Sequence, residues 1–124
     1  MLIINIMIIH VNDILFKISC NFRSALGRAI RLGSYYKSRK TEEILGCSFE
    51  FLMGYLESKF EPWIDWSNYG KYNGELNYGW DSDHIVPLSS ARTEEELLKL
   101  LHHTNLQPLC SKVNRDIKKA KLIW

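Results

Sequence analysis

A chain of 124 residues with 46% hydrophobic and 24% charged content can bury one core without disulfide or metal staples, which excludes a disordered chain and a disulfide-built miniprotein. The net charge of +2 conceals a segregation. Residues 16–40 carry Lys17, Arg23, Arg28, Arg31, Lys37, Arg39 and Lys40 and no acid; residues 41–110 hold twelve acids against Lys59, Lys71, Arg92 and Lys99; residues 111–124 set Lys112, Arg115, Lys118, Lys119 and Lys121 against Asp116. Two basic ends around an acidic middle suit a polyanion gripped at both ends and cations held at the centre, although solvated helix faces give the same pattern.

The start, M-L-I-I-N-I-M-I-I-H-V-N-D, lacks a basic n-region and a cleavage site, and Asn5, His10, Asn12 and Asp13 interrupt it short of a membrane span. It reads as an apolar leader over residues 1–13, a strand or a loosely attached extension, with no membrane contact. Leu15, Ile18, Phe22, Ala25, Leu26, Ala29 and Ile30 then predict an amphipathic helix over 14–32, ended by Gly33, with Arg23, Arg28 and Arg31 off its apolar stripe as candidate phosphate contacts. Thr41 is expected to cap a short turn closed by Gly46. Ser48 is expected to cap a second helix, with Phe49, Leu52, Met53, Leu56 and Phe60 facing the core and Pro62 stopping it.

Residues 61–77 are rich in aromatics, Gly and Asn and predict a loop with its rings packed down and a tight turn at Asn73-Gly74. Tyr78 to Val86 reads as a strand halted by Pro87, with Ile85, Val86 and Leu88 as its apolar anchor. Thr93 and Glu96 form a T-x-x-E capping box for a helix over 94–103, with His102 and His103 at its C-terminal end. N-L-Q-P-L-C is a second extended piece. Ser111 is expected to cap a last helix over 112–120, with Val113, Ile117 and Ala120 inward and Asn114 and Lys118 on an adjacent face.

In that order of elements Asp83 and Asn114 can supply two oxygens to one hard cation, Mg²⁺ or Mn²⁺, leaving positions for water and phosphate oxygens. His84, an imidazole with an ordinary pKa of about 6.5, suits a proton acceptor beside it. Cys20, Cys47 and Cys110 form no C-x-x-C pair, so neither a disulfide framework nor a cysteine-rich zinc site is legible, and a reducing cytoplasm is the expected location.

D-H-I-V-P-L, N-L-Q-P-L-C and an Asn nine positions after Asn105 followed by lysines resemble the HNH endonuclease motif of the His-Me finger (ββα-metal) nucleases. L-G-C-S-F-E-F-L-M-G-Y-L-E-S-K-F and W-S-N-Y-G resemble the helix and aromatic loop before that motif in a phage-type branch, so the resemblance covers roughly residues 15–121. It implies an α+β fold, a mostly helical small domain over 14–124 built on a ββα-metal core at 78–121. It implies that Asp83 and Asn114 bind one divalent cation, that His84 is the general base, and that Asn105 holds the loop aiming it.

Asn114 stands where many relatives have His, and this substitution favours Mg²⁺ over zinc. Cys110 followed by Val113 departs from the zinc-knuckle pattern, so no structural zinc is expected. Lys118 stands where some relatives have a metal-binding histidine, and with Arg115 and Lys119 it is expected to contact phosphate. The implied protein is a DNA endonuclease, monomeric or weakly dimeric, acting in the cytoplasm, that of a host if phage-encoded. The alternatives are a nucleic-acid-binding module that keeps the fold without cutting, and an RNA nuclease. Asp81 reads as a surface strand acid.

Overall fold

In a computed structural model, residues 2–118 are described, with side chains from Val11 to Ile117. The fold is α+β, a small domain of helices around one two-stranded antiparallel sheet. Lys119, Ala120, Lys121 and the side chain of Lys118 lie outside the described residues.

Helix α1 runs Leu2–Leu32, so the apolar start is helical rather than a strand. Ile18, Phe22, Leu26, Ala29 and Ile30 are buried along one stripe, as their spacing requires. The chain reverses at Ser34, whose φ of 68° takes the left-handed conformation expected of Gly33. The Tyr35 amide then closes on the Ile30 carbonyl at 3.0 Å.

Helix α2 is Thr41–Leu45, closed by Gly46 at φ 74°. Thr41 does not cap it: Lys40 holds the cap position, and Thr41 is the buried first helical residue. Helix α3, Phe49–Glu57, is capped twice. Ser48 Oγ accepts from the Phe51 amide at 3.1 Å, and the Glu42 carboxylate accepts from the Phe49 amide at 2.9 Å. It ends before Phe60 because the Lys59 and Phe60 amides bond to carbonyls three residues back, tightening the last turn ahead of Pro62.

The loop that follows is built on Trp80, which has no exposed surface. Its ring centroid lies 5.1 Å from Phe60, 5.2 Å from Trp66 and 4.7 Å from Tyr69, and its Nε1 donates to the Asp65 carbonyl at 2.7 Å. The Trp80 carbonyl accepts from the Gly70 amide at 2.7 Å. A Cβ at Gly79 would sit 1.4 Å from the Lys71 carbonyl oxygen, so only glycine allows the loop to lie against the start of the strand.

Strand β1, Trp80–His84, pairs with β2, Leu106–Cys110, from Trp80 opposite Cys110 to His84 opposite Leu106. With two strands both are edges, and β2 tolerates Pro108. β1 is shorter than the expected 78–86. Ile85 and Val86 are 48% and 45% exposed and anchor nothing in the core; Leu88 alone of the three is buried.

Helix α4 is Glu94–Leu100, shorter than expected, with Thr93 Oγ1 accepting from the Glu96 amide at 3.1 Å. The return bond of the capping box goes one residue early, from the Arg92 amide to the Glu96 carboxylate. His102 and His103 therefore stand beyond the helix. His102 caps the next turn through Thr104, and His103 Nδ1 donates to the Leu45 carbonyl at 2.7 Å, its ring edge-on to Phe51 and Tyr55.

After β2 the chain winds into a wide helical segment, Val113–Lys118. The buried Ser111 hydroxyl has no hydrogen-bond partner among the described residues and does not cap it. The wider winding also rotates Ile117 off the inner face, where it is 45% exposed.

Trp80→Ala removes the ring on which three others and one carbonyl converge, and is expected to destabilise the fold by about 3–5 kcal/mol, read by chemical denaturation.

Candidate active-site cleft

A cleft of about 600 Å³ opens between α1, the Tyr69–Gly70 turn, β1 and the C-terminal helical segment. Asp83 and His84 reach it from the end of β1, Asn114 and Arg115 from the helical segment, and Lys17 and Asn21 from α1. The antiparallel register explains the second group, since Cys110 lies opposite Trp80 and the segment after it therefore begins beside the start of β1.

Asp83 is buried, 8% exposed, and Gln107, opposite it in the ladder, donates to its Oδ2 at 3.0 Å. Asp81 is more than a surface strand acid: Arg115 donates to it from two nitrogens, at 3.1 and 3.2 Å. The same guanidinium lies 5.1 Å from the Tyr72 ring centroid. Tyr72 donates in turn to Asp116 at 2.5 Å, and Lys112 bridges Asp116 and the Gly74 carbonyl. The Tyr72 hydroxyl, then Lys112 and Arg115, hold the Asp116 carboxyl below its ordinary range. These bonds fasten the C-terminal segment to the aromatic loop.

Asn105 stands behind the cleft and uses both ends of its amide. Its Oδ1 accepts from the Val86 amide at 2.9 Å, and its Nδ2 donates to the Val86 and Leu100 carbonyls at 3.0 and 2.9 Å. Its backbone carbonyl accepts from the Ile85 amide at 2.8 Å. The segment immediately after His84 is thus held by one residue at three points.

Asp83, His84 and Asn114 share the cleft; Asn105 braces it. Arg23, Arg28 and Arg31 do not line it, and Arg23 instead lies 5.5 Å from the Phe49 ring centroid. Sequence reasoning missed Asn21, Tyr69 and Gln107, and gave Lys17 only as one charge of the basic segment 16–40. Lys17 and Asn21 are four apart, one step before the core positions Ile18 and Phe22, so a polar pair bordering the apolar stripe was the available signal. Tyr69 is 5% exposed; burial pushes its phenol above the ordinary value, partly offset by the Asn21 amide, which donates to its oxygen at 3.1 Å.

Among the described residues no three His, Cys, Asp or Glu side chains cluster as a metal site. Among the groups lining the cleft, Asp83 offers a carboxylate oxygen and Asn114 an amide oxygen, with the His84 imidazole beside them. Such an oxygen pair suits a hard cation that keeps several waters.

Two uncharacterized proteins of Acanthamoeba polyphaga mimivirus resemble the chain. One is 28% identical over 116 residues, 92% of this chain and 47% of that protein; the other is 28% identical over 105 residues, 83% of this chain and 42% of that protein. The chain thus spans less than half the length of either relative. No family model and no solved structure matches it.

Asn105→Ala removes three hydrogen bonds around Val86 and Leu100, with an expected loss of about 1–3 kcal/mol in denaturant titration. A second expectation concerns His102, whose carbonyl accepts from the Asn105 amide at 3.0 Å. Burial, then His103, lowers the folded-state pKa of His102. Its contribution is therefore fully present above the ordinary value of about 6.5 and is lost as pH falls through the lowered folded value. The thermal midpoint should fall over that window, and His102→Gln should flatten the fall.

Proposed function

We propose that this chain is a metal-dependent endonuclease of the HNH, His-Me finger type, hydrolysing DNA phosphodiesters with His84 as general base. The observation that supports this most is the meeting of Asp83, His84 and Asn114, from one strand end and one helical segment, in a single cleft. On this reading β1, β2 and the segment Val113–Lys118 are the ββα-metal core. The viral relatives agree with a phage-type or viral setting, and they carry no statement of activity.

His84 accepts a proton from a water aimed at the phosphorus, within reach of a cleft that also admits the phosphate. Asn105 acts on the reaction only through Val86 and Ile85, keeping the backbone after His84 from shifting. Asp83, fixed on one oxygen by Gln107, and Asn114 would hold Mg²⁺ or Mn²⁺. Bound there, the ion would stabilise charge on the phosphate oxygens and on the leaving 3′ oxygen. Arg115, oriented by Asp81, is directed at a neighbouring phosphate, as are Lys118 and Lys119 in the sequence reading. The family resemblance implies 5′-phosphate and 3′-hydroxyl ends.

A plasmid-nicking assay decides the matter. Wild type is expected to nick in Mg²⁺ and to stop in EDTA, and His84→Ala is expected to lose at least about 100-fold in rate while still binding DNA. Undiminished cutting by His84→Ala sinks the mechanism. Binding without cutting by wild type identifies a non-catalytic nucleic-acid module, and cleavage confined to RNA identifies a ribonuclease.

A further inference from the structure

The cleft has cations on two walls, and of the two only Arg115 is in an ion pair among the described residues. Arg115 is paired twice with Asp81. Lys17, on the α1 wall, forms no ion pair with any described residue. Its ammonium is nevertheless not adrift. Nζ donates to the Tyr69 carbonyl at 2.9 Å and lies 5.0 Å from the centre of the Tyr69 ring.

Beside it Gly70, at φ 73°, leaves a notch. A Cβ there would come within 3.3 Å of Nζ and 3.6 Å of Cε. A lysine on an exposed helix face ordinarily keeps its rotamer freedom and points into water. Here an exposed lysine is held by a carbonyl, a ring face and a notch in the neighbouring turn, facing the same cleft as Asp83, His84 and Asn114. The carbonyl takes one of the three ammonium donors. A positive group held toward a site, with no ion-pair partner among the described residues, is complementary to an anion supplied from outside.

We propose that Lys17 is a substrate-positioning residue that takes a backbone phosphate of the nucleic acid, on the wall opposite Arg115. The proposal rests on the nuclease reading of the cleft. It makes α1 part of the substrate site through Lys17 rather than through Arg23, Arg28 or Arg31, and a strand in the cleft is gripped from both sides. Lys17 is placed to hold the strand, and takes no part in proton transfer.

The test is binding of a labelled DNA duplex in EDTA, where no cutting occurs, over a series of salt concentrations, with nicking in Mg²⁺ measured alongside. Lys17→Gln keeps a donor for the Tyr69 carbonyl and removes the charge. It is expected to weaken binding several-fold and to lower the slope of log affinity against log salt by about one, with Lys17→Arg restoring both. In nicking, Lys17→Gln should raise KM more than it lowers kcat.

A Lys17→Gln slope equal to wild type, in a protein with an unchanged thermal midpoint, overturns the proposal. If wild type still nicks in that case, the nuclease reading stands without it. If wild type binds no DNA, the reading fails and the proposal with it. Should Lys17→Gln not fold, wild type supplies the answer by acylation footprinting: protection of Lys17 by DNA is expected, and equal labelling with and without DNA overturns the proposal.

Discussion

Trp80 is the fixed point of this fold. Its indole is enclosed by Phe60, Trp66 and Tyr69, its ring nitrogen is spent on the Asp65 carbonyl, and its own carbonyl is spent on Gly70. A ring fixed on that many sides allows β1 one register and one pleat. A slip of one residue would exchange the faces of Asp81, Ser82, Asp83 and His84 together. The cleft residues are thus set by a side chain that does not line the cleft, and Gly79 reinforces the setting by letting the loop backbone close on the strand where any Cβ would collide.

From that origin the site is assembled in two directions. Along the sheet, Gln107 faces Asp83 in the ladder and holds one of its oxygens. Past β2, the bonds among Arg115, Asp81, Tyr72, Asp116 and Lys112 tie the helical segment that carries Asn114 back to the aromatic loop. These surface ion pairs stabilise little singly. Their effect is geometric, because several bonds from different elements leave the segment few alternative positions.

Much of this was legible where one local rule governs. The stripe Ile18, Phe22, Leu26 and Ile30, the Ser48 and Thr93 caps and the strand carrying Asp83 and His84 follow from periodicity and capping chemistry alone. The failures share a cause, which is tertiary context. Thr41 has the right chemistry for a cap, but burial and Lys40 take the position from it. Ile85 and Val86 have the composition of a core anchor, yet the strand ends before them and Asn105 takes over their backbone, through its carbonyl for Ile85 and its side-chain amide for Val86. Ile117 follows a helical period that the wider winding after β2 does not keep. Lys17 was visible only as one charge of a basic segment, because what holds it is Tyr69 and Gly70, more than fifty positions away, and no helix-face argument reaches that far.

The Asn105 amide offers Val86 an acceptor and a donor, the pair of groups that a neighbouring strand's backbone would present. In effect one side chain impersonates a strand, extending the ladder past His84 without adding chain. A peptide stretch with outward-facing aliphatic groups is thereby denied the exposed edge that would invite pairing with other chains. It also explains why the amide is ill replaced by its nearest isostere. A carboxylate at position 105 would keep the acceptor, lose both donors and set a negative charge against two carbonyl oxygens, so the impersonation depends on a single nitrogen atom.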